Sequence, residues 1–174
     1  MSLRKHKYRK TRTGLTLLEV ITVLAIIMLM AFLAVPFRSR AAEVRLRSAA
    51  SMIVSDMEYV KNLAISSQQC YSIIFDHDER SFVYKVRDPD GIVDHPLRAG
   101  LPFEVHFSEN RRLRQILGKA DFDSTKIITF DYLGSPYSGI GTQTPLLNGQ
   151  IFMQVGKLKL TVYVEPATGY ISIR

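Results

Sequence analysis

Hydrophobic and polar positions along this chain fall into three successive patterns. From Val20 to Val35 the only polar side chain is Thr22, and the apolar run extends back to Leu15 with Glu19 as its single charge. At about 1.5 Å per residue, Leu15 to Val35 makes roughly 31 Å of helix, close to the hydrocarbon thickness of a bilayer. The run is rich in Ile, Val, Leu and Met and holds no internal Gly or Pro, so it predicts a continuous membrane helix.

Beyond Pro36 the spacing changes. Leu46, Ala50, Ile53, Met57, Val60 and Ala64 recur at intervals of three and four, which marks one stripe of an α-helix. Arg47, Ser48, Ser51, Ser55, Glu58, Lys61 and Asn62 lie opposite, so this helix is amphipathic and needs something to cover its apolar side. Two heptads are short for an independent coiled coil, and the domain that follows is the expected cover.

From Cys70 onward, alternation and short β-rich runs take over. They predict strands at Tyr71–Phe75, Ser81–Val86, Phe103–Phe107, Ile127–Phe130, Ile151–Val155, Leu158–Val164 and Tyr170–Ile173. Turn signals separate them, among them Asp88-Pro-Asp-Gly91, Gly134-Ser-Pro136 and Glu165-Pro-Ala-Thr-Gly169. Arg87–Pro102 and Leu133–Leu147 are expected as long irregular loops. The fold class is therefore α+β, a long N-terminal helix with a transmembrane half and an amphipathic half, packed on a C-terminal antiparallel sheet domain. The expected divisions are 1–14, 15–36, 37–67 and 68–174.

Charge adds an orientation. Arg4, Lys5, Lys7, Arg9, Lys10 and Arg12 supply most of the formal net charge of +7, and no acid precedes Glu19. After Gly14 there remain 17 basic and 16 acidic residues, so the folded part lacks the overall positive excess of a nucleic-acid-binding domain. The basic arm places the N-terminus in the cytoplasm, with the chain beyond Pro36 across the membrane. Arg38, Arg40, Arg45 and Arg47 pull the other way, but Glu43 offsets them and their density is lower.

Candidate chemistry is sparse. Cys70 has no mate, which excludes an intramolecular disulfide and a cysteine-rich zinc site, and it reads as a buried structural thiol. His6, His77, His95 and His106 show no metal-ligand spacing. Asp76, Asp78 and Glu79 read as a solvated hairpin tip, because no calcium-loop glycine or distal glutamate follows at the required interval; Asp121 and Asp123 are weighed in the same way. No nucleophile, base and orienting acid can be assembled from the sequence, so neither an enzyme nor a cofactor is expected.

The junction between basic arm and apolar run reads Lys10-Thr-Arg-Thr-Gly14-Leu15-Thr16-Leu17-Leu18-Glu19-Val20. It resembles the class III signal of the type IV pilin and pseudopilin family. The resemblance implies a pilin-like fold and cleavage by a prepilin peptidase between Gly14 and Leu15, with removal of residues 1–14 and N-methylation at Leu15. Leu15 stands where the family usually has phenylalanine. Glu19 becomes fifth in the mature chain, where the family's glutamate is thought to meet the N-terminal amine of a neighbouring subunit during assembly. Pro36 corresponds to a proline that loosens the helix in many pilins, and it removes one backbone hydrogen bond.

The C-terminal half, through Ile128-Thr-Phe-Asp-Tyr-Leu-Gly-Ser-Pro136 and Leu160-Thr-Val-Tyr-Val-Glu-Pro-Ala-Thr-Gly169-Tyr-Ile-Ser-Ile173, resembles the H-type minor pseudopilins of type II secretion (GspH) and the FimT minor pilins. This implies a structural subunit of a secretion pseudopilus in the inner membrane, single-pass, with its C-terminal domain periplasmic or extracytoplasmic. Its implied partners are the peptidase, other pilin or pseudopilin subunits and the secreted protein. The alternative is a minor pilin of a pilus or competence system. Arg111, Arg112, Arg114 and Lys119 form the basic cluster of the exported part, and FimT-type relatives make its three arginines candidate DNA contacts; against nucleic acid as a partner stand the nearby Glu109, Asp121 and Asp123 and the lack of interleaved aromatics.

Overall fold

The structure, a computed structural model, describes residues 16–78 and 81–174, those at 33–40, 77, 78 and 81 by their backbone alone. It divides into two compact units, Met1–Ser39 and Arg40–Arg174. One helix, α1 (Leu17–Ser67), precedes eleven strands. These are β1 (Tyr71–Asp78), β2 (Ser81–Arg87), β3 (Asp94–His95), β4 (Arg98–Pro102), β5 (Glu104–His106), β6 (Leu117–Phe122), β7 (Ile127–Phe130), β8 (Pro136–Ser138), β9 (Gly149–Val155), β10 (Leu158–Val164) and β11 (Ile171–Ile173).

All pairings are antiparallel. A five-stranded sheet runs β5-β2-β1-β7-β8, a four-stranded sheet runs β11-β10-β9-β6, and β3 and β4 form a separate ladder. The predicted helical stripe is the helix's share of the core, since Leu46, Ala50, Ile53, Met57, Val60 and Ala64 are all buried, joined by Ala49. They belong to one cluster with residues of both larger sheets, including Phe75, Phe82, Phe122, Phe130, Ile151 and Val162. Phe82 and Phe107 meet edge-on with ring centroids 5.2 Å apart, and Phe75 lies 5.6 Å from Phe122. Such offset and edge contacts suit the ring quadrupoles. Gln68 ends α1 by taking the left-handed conformation, at φ 58°, while the Gln69 N–H returns to the Ala64 carbonyl.

Each of the seven predicted strands is present, with β5 and β11 shorter and β1, β2 and β9 longer than expected. Two expected loops are corrected. Arg87–Pro102 carries the β3–β4 ladder, and Leu133–Leu147 carries β8, whose Tyr137 also bridges to Pro145. Outside those two loops, the strand with no sequence forecast is β6. Its Leu-Gly-Lys-Ala-Asp-Phe looks polar, yet Ala120 and Phe122 point inward and are buried. Gly118 breaks the pattern because Phe82 occupies the place of a side chain; a Cβ there would lie 2.5 Å from the Phe82 ring.

Candidate functional site

The apolar head of α1 opens on a cap. Thr16 Oγ1 and its carbonyl oxygen both accept the Glu19 N–H, at 3.3 and 3.0 Å, and the Thr16 carbonyl also accepts the Val20 N–H at 3.2 Å. Threonine followed three residues later by glutamate is a capping pattern that names the helix start from sequence. A carboxylate in the first turn is also favoured by the helix dipole. Its side chain is exposed and has no ion-pair partner among the described residues.

Every described side chain from Leu17 to Phe32 is exposed. Leu17 stands at 80%, Met28 at 78% and Phe32 at 82%, values that in an apolar run require a second apolar body for cover. Among the described residues no helix is long and apolar enough to cross a membrane; their apolar side chains stop at Phe32. The rest of the expected span, at Leu15 and at side chains 33–36, lies outside them, as do Gly14 and Glu79. Pro36 falls within the bounds of α1.

In the second unit the family-like motifs are turns that lock the end of the helix. After β7, the buried Asp131 accepts the Leu133 and Ser135 N–H groups on Oδ1 at 2.9 and 2.8 Å. Gly134 at φ +81° closes that turn against Ile65 and Lys61 of α1. The last hairpin turns through Glu165–Gly169, and the Lys61 ammonium donates to the Gly169 carbonyl at 3.1 Å while pairing with Glu58 at 2.7 Å. Lys61 was expected on the solvent face; it is half-buried and ties helix to hairpin.

A second helix–sheet contact is polar. The Tyr84 hydroxyl of β2 donates to Asp56 Oδ2 of α1. Burial raises the Asp56 pKa, with the Tyr84 hydrogen bond and His95 opposing. Burial, then the Asp56 charge and the shared hydrogen bond, holds the Tyr84 phenol well above its ordinary value. The pair satisfies itself within the helix–sheet interface.

Arg111, Arg112 and Arg114 lie together on the turn before β6. Asn110 builds it: its carbonyl accepts the Leu113 and Arg114 N–H groups and its side-chain oxygen accepts the Arg112 N–H, all at 2.9 Å. Leu113 and Ile116 are buried and pin the turn, while the three arginines are exposed. Lys119 is not part of the group; it stands beside Phe152 on the outer face of the second sheet. Arg45 of α1 takes its place.

Asp121 and Asp123 serve turns. Asp121 Oδ1 accepts the Ser124 N–H, and the two Asp123 oxygens accept the Leu147 and Asn148 N–H groups, each at 2.8 Å. Asp76 faces Lys126 at 3.7 Å. Among the described residues no group of three metal-ligating side chains converges. Cys70 is half-buried rather than fully enclosed.

This arrangement, a helix closed on one stripe by antiparallel sheets behind an uncovered apolar head, defines a pilin-like α+β fold. The crystal structure of the type IV minor pilin FimU of Pseudomonas aeruginosa (strain PAO1) is similar at a TM-score of 0.50 and 16% identity, over 76% of this chain and 90% of that one. The minor pseudopilin EpsH from the type 2 secretion system of Vibrio cholerae is similar at 0.49 and 13% identity, over 75% and 96%. No family model and no curated protein sequence matches the chain. The fold that the leader resemblance implies and the fold of the chain agree.

Proposed function

We propose that this chain is a non-catalytic structural subunit of a type II secretion pseudopilus, serving protein export across the envelope. The observation that carries the reading is the pairing of a domain that completes its own core with a helix head, Leu17 to Phe32, that buries none of its apolar side chains and starts with a carboxylate lacking an ion-pair partner in the described chain. Such a head needs either lipid or neighbouring copies of the same helix, and a subunit that moves from bilayer to filament uses both in turn.

In this reading prepilin peptidase cuts between Gly14 and Leu15, Leu15 is methylated, and α1 is held in the inner membrane with the unit Arg40–Arg174 outside the cytoplasm. Glu19 receives the N-terminal amine of an adjacent subunit. A carboxylate near the end of a membrane helix costs up to about 3 kcal/mol without a partner, and that cost disappears when register is correct. Intact mass and N-terminal sequencing with and without the peptidase test the pathway. A peptidase-dependent start at methylated Leu15 is expected; a start at Met1, or cleavage after Ala34, overturns it. Crosslinking then tests assembly, with Glu19→Ala expected to abolish subunit–subunit products while the domain stays folded.

The likeness to FimU favours a second reading, a minor type IV pilin of a pilus or competence system. Loss of pili rather than loss of secretion in a Glu19→Ala strain selects it.

A further inference from the structure

The arginine turn has a geometry that assembly does not require. Arg111, Arg112 and Arg114 from the turn and Arg45 from α1 line one open basin of about 720 Å³, together with Asn110 and Gln115 and with no acid. Glu109, the nearest acid in sequence to the turn arginines, lines an adjoining basin that Arg111 also borders, and Glu43, the nearest to Arg45, pairs with Arg47 at 3.4 Å. Asn110 and the buried Leu113 fix the backbone, so the four guanidinium groups are displayed from a braced support. Four positive charges with no ion pair among the described residues, on a part of the chain whose total charge is almost neutral, are a local excess, and they attract anions.

We propose that this patch docks on anionic phospholipid headgroups of the membrane that anchors the chain, and so sets how the domain rests on the bilayer before assembly. The inference rests on the membrane anchorage proposed above. Arg45 follows Val35, the last residue of the apolar run, by ten residues. Even fully extended, that tether spans at most about 36 Å, so lipid phosphates are present at high effective concentration and no diffusing polyanion is. Guanidinium groups match phosphate oxygens two bonds at a time. No aromatic side chain lines the basin, so the base stacking of a single-stranded nucleic acid has no platform there.

The test uses the full chain in bilayer discs, of phosphatidylcholine alone or of equal parts phosphatidylglycerol and phosphatidylcholine, with backbone amide exchange read across residues 108–116. Anionic discs are expected to slow exchange by about threefold or more, and high salt to reverse the effect. Replacing all four arginines by glutamine is expected to abolish it; replacing them by lysine is expected to retain most of it. Equal exchange in both discs overturns the proposal. So does slowing by duplex DNA added to phosphatidylcholine discs without slowing by phosphatidylglycerol, which assigns the patch to nucleic acid. A chain that does not enter either disc overturns the anchorage itself.

Discussion

The Tyr84 hydroxyl on β2 is bound to the Asp56 carboxylate on α1, a polar contact that joins helix and sheet beside the apolar core. Neither group has a second side-chain partner among the described hydrogen bonds. Tyr84→Phe therefore leaves Asp56 desolvated with nothing to donate to it, and a loss of about 1–3 kcal/mol is expected. Urea unfolding of the full chain, followed by near-ultraviolet circular dichroism, measures it.

The same pair sets a pH dependence. Because burial raises the Asp56 pKa, the folded chain binds that proton more tightly than the unfolded chain. Its contribution is fully present below the unfolded carboxylate range and is lost as pH rises through the folded value. Asp56→Asn keeps an oxygen for the Tyr84 hydroxyl and does not titrate. The stability of the variant relative to the parent is expected to grow in its favour from about pH 4 to pH 7. A difference that stays flat over that range contradicts the assignment.

Gly118→Ala places a methyl group against Phe82, which is fully buried, stacked on Phe75 and edge-on to Phe107. The ring has little room to retreat. A loss of about 1–3 kcal/mol is expected from overpacking, seen as a fall of several degrees in the thermal midpoint.

Asp131→Ala removes the acceptor for two turn amides at a buried position. An expected cost of about 1–3 kcal/mol follows, whereas Asp131→Asn keeps one acceptor oxygen and costs less. Lys61→Met releases the Gly169 carbonyl, and faster amide exchange confined to residues 165–170 is the expected signature.

Much of this was readable in the sequence wherever one physical effect dominated. The stripe from Leu46 to Ala64 could be read because burial on a helix imposes a period, and the seven apolar strands because alternation imposes another. The strand β6 was hidden because its inward side includes Gly118, chosen for the room Phe82 takes, and its outward side is Lys119 and Asp121. The basin of four arginines was half visible: the three on the turn are neighbours in sequence, but Arg45 reaches them only through the fold. Likewise Phe130-Asp131 and Gly169 stood out as motifs, while their meeting at Lys61 and Ile65 is a tertiary fact.

The tie between Lys61 and Gly169 spans 108 positions. It also has a direction in time. Within the sheet ordered β11-β10-β9-β6, the interior strand β10 and the edge strand β11 come last in the chain. A chain made from its N-terminus thus presents the α1 stripe, β1 and β2 long before the residues that cover and fasten them exist. Until the final hairpin emerges, that stripe and the inner face of β9 have incomplete cover, which is the interval in which partly made chains stick to one another. Removing the last dozen residues would not trim an edge but hold the molecule in that interval for good.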